Sequence, residues 1–353
     1  MRYLLLFCAL FVPLKLSIAY IFLVPLLMLF LFQEFKEKSY RNYAPGIPEA
    51  FLLFSCVIGV TTLFSLTLKE SLREITSLFF YGMLVFLLRD YVVKNGSKEI
   101  IKALAIGFGI ASFNTILNSL FPFWVPRIFL GQISEAGQLA LFIPLIVGLG
   151  VHTAPTLLGF VPSLILNLKR GPWLGVIFSV FLLAVVRKKF ALLAVLISLT
   201  IGVGILSPQV QNRLYSLEHD FLDPGGRKEM WEVAWNLIQR NPLGVGFDNG
   251  RIIREYSERI PKELSHFHNN AINILVENGF LGLLAFCWFI FFAIKTFLKH
   301  RETLPYALAI ISSQVAGLVE YNFGDSKVYL MTLFVLGLGA GEIARLEKAN
   351  QSN

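Results

Sequence analysis

The chain has 353 residues, of which 56% are hydrophobic and 15% charged, with a mean hydropathy of +0.66 and a formal net charge of +8. A soluble domain has about 25% charged residues, so the composition excludes an ordinary soluble protein and predicts a membrane protein surrounded by membrane lipids. The positive charge is explained by basic loops between apolar segments, and no nucleic-acid partner is predicted.

Apolar segments long enough for membrane helices recur along most of the chain. A crossing takes roughly 20 helical residues, and the sequence lacks the alternation of a membrane β-barrel. We therefore predict an all-α polytopic membrane protein with about twelve transmembrane helices. The first segment is interpreted as a retained helix because no small-residue cleavage site follows it. The predicted segments, with approximate ends, are 4–14, 16–32, 47–68, 75–88, 100–121, 136–151, 157–168, 172–186, 190–206, 271–294, 304–319 and 328–343.

One connection is much longer than the others. The loops on one predicted side, with both termini, hold more Lys and Arg, so the positive-inside rule predicts cytoplasmic termini and an outer long loop. Within that loop, the stretch "GRKEMWEVAWNLIQRNP" has helical spacing and contains Trp231 and Trp235, which predicts a folded, partly membrane-apposed module. The chain is therefore divided into helices 1–9 at 1–206, this module at 207–270, and helices 10–12 with a tail at 271–353.

Arginines on the predicted outer side are candidate ligands for phosphate or diphosphate. Arg170 lies in "KRGPW", between two apolar segments and before a Gly-Pro helix start, whereas Arg213 and Arg227 lie in the long loop. The guanidinium group binds phosphate oxygens bidentately, and a helix N-terminus also favours an anion. The alternative is that each arginine extends to lipid headgroups. This alternative is weakest for Arg170, which is wedged between two predicted helices.

The run "HFHNN" places His266 and His268 directly before an apolar helix. Alternate residues of an extended segment face the same side, so the two rings are expected to project together. A histidine titrating near neutrality suits general-base removal of a sugar-hydroxyl proton. Asn269 could orient that histidine, bind the sugar or cap the helix, and Asn270 is a further N-cap candidate. A metal site remains an alternative that requires a carboxylate as third ligand.

Two carboxylates, Glu320 and Asp325, lie in "EYNFGDSK" at the outer end of the last predicted helix pair. Either carboxylate could orient the histidine or an acceptor substrate. The alternative is a solvated loop charge paired with Lys327. Glycines also flank the amphipathic helix, in "DPGG" and "NPLGVG". They indicate turns, with an anion-binding turn or a close backbone approach to a ligand as the alternatives.

The order of these motifs resembles that of the bacterial O-antigen ligase and O-antigen polymerase superfamily. "KRGPW" is followed by "GGR" with a Trp-rich helix and "NPLGVGF", and then by "HFHNN" with "ENGFLGLL"; the similarity covers mainly residues 166–284. The resemblance implies a GT-C-like inner-membrane glycosyltransferase with a large periplasmic loop. Its donor would be an undecaprenyl-diphosphate-linked glycan. The acceptor would be a sugar hydroxyl of lipid A core in a ligase, or another lipid-linked repeat unit in a polymerase.

The resemblance also implies roles for individual residues. Arg170 and Arg227, and less directly Arg213, correspond to arginines that hold the donor diphosphate, and His268 corresponds to the family's motif histidine, the general base. Lys169 departs from the pattern, because many relatives carry a small hydroxyl residue there. An inverting mechanism without metal or other cofactor is implied, since arginines can stabilise charge developing on the diphosphate. The supporting residues are expected to be His266, Asn269 and Asp325.

Two other function classes are alternatives. A transporter of lipid-linked sugars would also need many helices, but transporters place polar residues near the bilayer midplane, often in two matched halves. Here the polar cluster lies in one outer loop. A zinc-dependent membrane hydrolase would carry His-Glu-x-x-His on a helix, and the sequence has no such pattern. The sequence therefore favours a glycosyltransferase.

Overall fold

A computed structural model describes residues 1–37, 46–121, 136–150, 153–256, 259–260 and 265–351. These residues form helices and connecting turns, with no β-strand among them. The α-helices are α1 (Arg2–Phe11), α2 (Leu16–Glu37), α3 (Ile47–Thr62), α4 (Leu68–Asn95), α5 (Lys98–Leu120), α6 (Ala136–Gly148), α7 (Thr153–Leu166), α8 (Arg170–Arg187), α9 (Phe190–Leu206), α10 (Pro208–Tyr215), α11 (Leu217–Leu222), α12 (Arg227–Arg240), α13 (Asn270–Phe297), α14 (Leu304–Ala316) and α15 (Ser326–Gln351).

Each of the twelve predicted apolar segments coincides with one of these helices. Within the described residues, six helices are long and apolar enough to cross a membrane: α2, α4, α5, α8, α13 and α15. Helices α9 and α10, which meet at a bend of 96°, form a seventh candidate span if they are taken together. The remaining apolar helices are shorter. The structure thus supports a polytopic membrane protein, and the number of twelve crossings stays a prediction.

The bundle is held together by close helix contacts at small residues. Helix α15 packs along α4, and α14 packs against α6 and α8. Gly337 of α15 lies against Leu88 of α4, where an added Cβ would be 2.6 Å from the leucine Cβ. Gly175 of α8 lies against Ser312 of α14 in the same manner. Any larger side chain at these glycines would push the helices apart.

The segment between α9 and α13 builds a small core of its own. Helix α12 confirms the helix predicted from the Trp-rich stretch, and it buries Met230, Val233 and Leu237 against Phe267 and neighbouring apolar side chains. The indole Nε1 of Trp231 donates a hydrogen bond to the Phe267 carbonyl oxygen at 3.0 Å. This bond ties α12 to the histidine run. Residues 257–258 and 261–264 of the predicted 207–270 module lie outside the described residues.

Helix α13 is broken at Gly279, whose φ of +65° lies in the left-handed region. A Cβ at Gly279 would lie 2.6 Å from the carbonyl carbon of Leu243 in the "NPLGVG" loop, so the close approach requires glycine. The loop then bonds to the helix backbone, where the amide of Val245 donates to the Val276 carbonyl oxygen at 2.9 Å. Gly244 of the loop also packs against α13, since a Cβ there would lie 2.3 Å from the Glu277 carbonyl oxygen.

Candidate functional site

The motifs singled out in the sequence meet at one end of the helix bundle. Helix α8 begins at Arg170, α12 begins at Arg227, and α13 begins just after His268. Gly171 brings the start of α8 close to the end of α14, where an added Cβ would lie 3.0 Å from Cγ of Glu320. Because helix N-termini carry partial positive charge, three such termini border the region and favour a bound anion.

Glu320 contacts both the histidine and one arginine. Its Oε2 lies 3.5 Å from Nδ1 of His268, and its Oε1 lies 3.8 Å from a guanidinium nitrogen of Arg227. The side chains of Glu320 and His268 are 15% and 20% exposed. Burial alone would raise the pKa of Glu320, but contact with His268 and the charges of Lys169 and Arg227 outweigh burial and lower it. Glu320 is therefore negatively charged at neutral pH.

The two histidine rings lie together, as the alternating sequence predicted. Their centroids are 4.4 Å apart at an interplanar angle of 60°. His268 has a φ of +49° and turns the chain into α13. Burial, followed by the charge of His268, lowers the pKa of His266 to about 4, so His266 is neutral near pH 7. The ring of His266 lies beside Tyr321, with 5.8 Å between centroids.

The metal interpretation of the histidine pair requires a third ligand. In the described part of the chain, no group of three or more His, Cys, Asp or Glu side chains is placed to hold a metal ion. Described groups beside the histidines include Glu320 and Tyr321.

Arg170 and Arg213 share one carboxylate. Both contact Oδ2 of Asp220 in α11, Arg213 at 2.7 Å. Arg170 also donates to the carbonyl oxygen of Arg213 at 3.0 Å, and Nε of Arg213 donates to the Leu168 carbonyl oxygen at 3.2 Å. Asp220 was not predicted from the sequence as a site residue. Its carboxylate fixes the two guanidinium groups and offsets one of their two positive charges.

Arg227 has hydrogen-bonding capacity that its neighbours do not use. Its Nε is buried and has no hydrogen-bond partner among the described residues. Burial lowers the pKa of Arg227; Glu320 opposes this effect, whereas the nearby charge of Arg170 adds to it. The positive side chains of this region outnumber its negative ones, which suits a polyanion such as diphosphate. The positive side chains are Lys169, Arg170, Arg213 and Arg227, and the negative ones are Asp220 and Glu320.

Asn269 is the N-cap of α13. Its side-chain oxygen accepts from the amide of Ile272 at 3.0 Å, and its Nδ2 donates to the Leu318 carbonyl oxygen at 2.9 Å. Of the two N-cap candidates, Asn269 is the cap, and Asn270 is the first residue of the helix. Its side-chain oxygen accepts from the amide of Asn322 at 2.8 Å. Both asparagines therefore fasten α13 to the segment between α14 and α15.

The two carboxylates of "EYNFGDSK" have different surroundings. Glu320 contacts the histidine, whereas Oδ1 of Asp325 accepts from the backbone amides of Lys327 and Val328 at 2.9 and 3.1 Å. Asp325 therefore caps the first turn of α15. The carboxylate next to His268 is Glu320.

Two residues near the histidines, Glu277 and Tyr321, were not predicted from the sequence. Glu277 is buried in the broken part of α13, where it accepts from Oη of Tyr321 and from the amide of Gly250, each at 3.2 Å. Burial, followed by the charge of Glu277, raises the pKa of Tyr321 well above its ordinary value. The sequence signal for Glu277 is the carboxylate of "ENG" within a predicted apolar helix, where charged side chains are rare. Glu277 holds the ring that lies beside His266.

A cavity of about 250 Å³ opens next to Tyr321. Its lining includes Tyr20 of α2, Tyr81 of α4 and Tyr329 of α15. These residues come from segments far apart in the sequence, and no short motif marks them. Tyr20 and Tyr329 of this lining lie in the first turns of α2 and α15.

Two comparisons with known proteins agree with the motifs. A sequence model of the O-antigen ligase family matches residues 155–287, a region that includes the arginines and both histidines. The O-antigen ligase of Salmonella typhimurium is 26% identical over an alignment of 197 positions, and the alignment covers 49% of this chain and 49% of that protein. The chain thus spans about half the length of the curated relative that it matches. These matches confirm the resemblance to the family.

Proposed function

We propose, from the premise that this chain belongs to the O-antigen ligase superfamily, that it moves a glycan from undecaprenyl diphosphate to a sugar hydroxyl of lipid A core. The observation that carries the proposal is the contact of His268 with Glu320 beside the arginine cluster formed by Arg170, Arg213 and Arg227. A proton acceptor next to a diphosphate-binding site is what glycosyl transfer from a lipid-linked donor requires.

The donor diphosphate binds to the arginine cluster. Nε of Arg227 supplies a buried donor that lacks a protein partner. Arg170 and Arg213 are held in place by Asp220 and present their remaining N–H groups. As the bond between the anomeric carbon and the diphosphate oxygen breaks, its electron pair passes to the diphosphate. The guanidinium groups stabilise that charge, so the proposal includes no metal ion.

His268 accepts the proton of the attacking hydroxyl. Its Nδ1 lies toward Glu320, which leaves Nε2 for the acceptor. The hydroxyl oxygen attacks the anomeric carbon on the face opposite the diphosphate, and its proton passes to Nε2. Glu320 stabilises the resulting imidazolium by its negative charge and thereby acts as a positioning residue. Attack from the opposite face inverts the configuration of the anomeric carbon.

The proposal places this site on the periplasmic side of the inner membrane. The basic residues of the predicted inner loops support cytoplasmic termini. Transfer from a lipid-linked donor also suits the periplasmic side, because it requires no nucleotide there. In this arrangement 1–206 and 271–353 form a GT-C-like bundle of twelve transmembrane helices, and 207–270 forms a periplasmic module. Arg170, Arg227 and His268 lie where α8, α12 and α13 begin, which supports one exposed end of the bundle as the site.

A reconstituted transfer assay tests the function. Purified full-length protein is given an undecaprenyl-diphosphate-linked glycan and lipid A core. We expect glycan-bearing lipid A core and free undecaprenyl diphosphate. A lengthened donor glycan with unchanged core would assign the protein to the polymerase branch. Movement of labelled donor across the vesicle membrane without any glycosyl transfer would show that the protein is a transporter of lipid-linked sugars and not a transferase.

A further inference from the structure

We propose that the cavity beside Tyr321 binds one sugar unit of the acceptor glycan and selects an uncharged or positively charged sugar. This inference rests on the proposed function, because an acceptor glycan is a substrate only of that reaction. It adds a binding site in front of the histidines and a chemical preference that no motif of the sequence reports.

The walls of the cavity suit a sugar ring. Tyr20 and Tyr81 stack with 5.0 Å between centroids and an interplanar angle of 16°. The rings of Tyr329 and Tyr321 are fixed by hydrogen bonds from their hydroxyls, the former to the Leu78 carbonyl oxygen at 3.1 Å. All four tyrosines are half-buried. Such rings offer a flat apolar face to the C–H groups of a sugar and hydroxyls to its polar edge.

The charge of the cavity is opposite to that of the arginine cluster. Glu74 and Asp248 contribute carboxylates to the lining, and no Lys or Arg occurs among its described lining residues. Arg73 lies 3.7 Å from Glu74, but its side chain is 85% exposed, so this pair is weak. Carboxylates accept hydrogen bonds from sugar hydroxyls or an ammonium group and repel phosphate. The donor diphosphate is therefore directed to the arginines and the acceptor sugar to the cavity.

The cavity and the arginine cluster lie at opposite ends of a series of contacts. Tyr321 forms part of the cavity wall and lies beside His266, which contacts His268. His268 in turn contacts Glu320, and Glu320 contacts Arg227. An inverting displacement needs the acceptor and the leaving group on opposite faces of the anomeric carbon, so the acceptor sugar and the diphosphate require separate sites.

The size of the cavity limits its occupant. Its volume of about 250 Å³ is below the range of roughly 300–1,000 Å³ that is usual for drug-sized ligands. It therefore fits a single sugar unit. Because His266 lies between Tyr321 and His268, the bound unit is the neighbour of the sugar whose hydroxyl attacks.

Steady-state kinetics of the full-length protein test the inference with Glu74→Gln. Removal of a charge-assisted hydrogen bond is expected to raise KM for lipid A core about tenfold, with kcat and the donor KM changed less than about twofold. Glu70→Gln, on the same helix but not in the cavity lining, is the matched control and should leave all three constants unchanged. An unchanged core KM in both Glu74→Gln and Tyr20→Ala would overturn the inference while the proposed function stands.

Small sugars test the charge preference. Methyl glucoside and methyl glucosaminide should compete with lipid A core, whereas glucose 6-phosphate should not, and Glu74→Gln should weaken competition by methyl glucosaminide. Equal competition by glucose 6-phosphate would overturn the inference. If the wild type transfers no glycan, the proposed function fails, and saturation-transfer NMR with methyl glucosaminide then tests the cavity alone. A signal that is the same in wild type and Glu74→Gln would overturn the sugar site.

Discussion

Replacing Glu320 by Gln separates the charge of this side chain from its shape. The substitution removes a negative charge 3.5 Å from Nδ1 of His268. Two unit charges at that distance interact by about 5 kcal/mol at an effective dielectric constant of about 20, which is an upper bound because both side chains retain contact with water. When His268 takes up the proton of the acceptor, closer approach of Nδ1 to Glu320 would form a hydrogen bond between charged groups, and such a bond contributes about 1.5–3 kcal/mol net. We therefore expect kcat to fall about 10- to 100-fold.

The assay is glycan transfer to lipid A core with each substrate varied in turn. Glu320→Gln should change the acceptor KM less than about twofold, since Glu320 acts through His268 and does not touch the acceptor. Because the pKa of Glu320 is lowered, its charge is present at neutral pH and is lost only as pH falls through that lowered value. Wild-type kcat should therefore keep the Glu320 contribution across the neutral range. Glu302→Gln, an exposed carboxylate between α13 and α14, is the control; an equal kcat in wild type and Glu320→Gln would refute the reasoning.

Substitutions at three further residues test separate parts of the site. Arg227→Lys should raise the donor KM at least about tenfold, because an ammonium group cannot reproduce the planar guanidinium fork; an unchanged donor KM would place the diphosphate elsewhere. Asn269→Ala should lower the free energy of unfolding by about 1 kcal/mol and Asn269→Ser should recover most of it, as measured by thermal unfolding; equal losses would argue against the cap. The pKa of His266 falls from 6.5 to about 4 on folding, so the folded state binds fewer protons than the unfolded state in that window. Wild-type stability should therefore decrease by up to about 3 kcal/mol as pH falls from 6.5 to 4, and His266→Gln should flatten the curve of melting temperature against pH; a wild-type curve as flat as that of His266→Gln would contradict this reading.

The helices could be predicted because their signals are local. A backbone in lipid must satisfy its own hydrogen bonds, so an apolar run such as 190–206 predicts its helix almost to the residue, as α9 shows. The helix that begins at Arg227 was marked by glycines before it and by amphipathic spacing within it. The number of membrane crossings is harder to predict from the sequence, because helices such as α14 are short and depend on their neighbours for burial.

The contacts of the site could be predicted only in part. His266 and His268 are neighbours in sequence, so their approach followed from an alternating backbone. The partnership of Glu320 with His268 depends on the packing of α14 against α8 and α13, which no local pattern encodes. Asn269 caps α13, whereas the backbone amide of the adjacent Asn270 donates to the Gly317 carbonyl oxygen at 2.7 Å, a tertiary hydrogen bond that no local pattern encodes.

The most direct test of the account measures whether His268 is the proton acceptor of a metal-independent transfer. Purified wild type, His268→Ala and the control His300→Ala are compared for transfer of donor glycan to lipid A core in EDTA, with donor binding measured on the same samples. The account predicts transfer by wild type and His300→Ala, and a loss of at least about 100-fold in His268→Ala with donor binding retained. Full transfer by His268→Ala, or loss of wild-type transfer in EDTA, would contradict it.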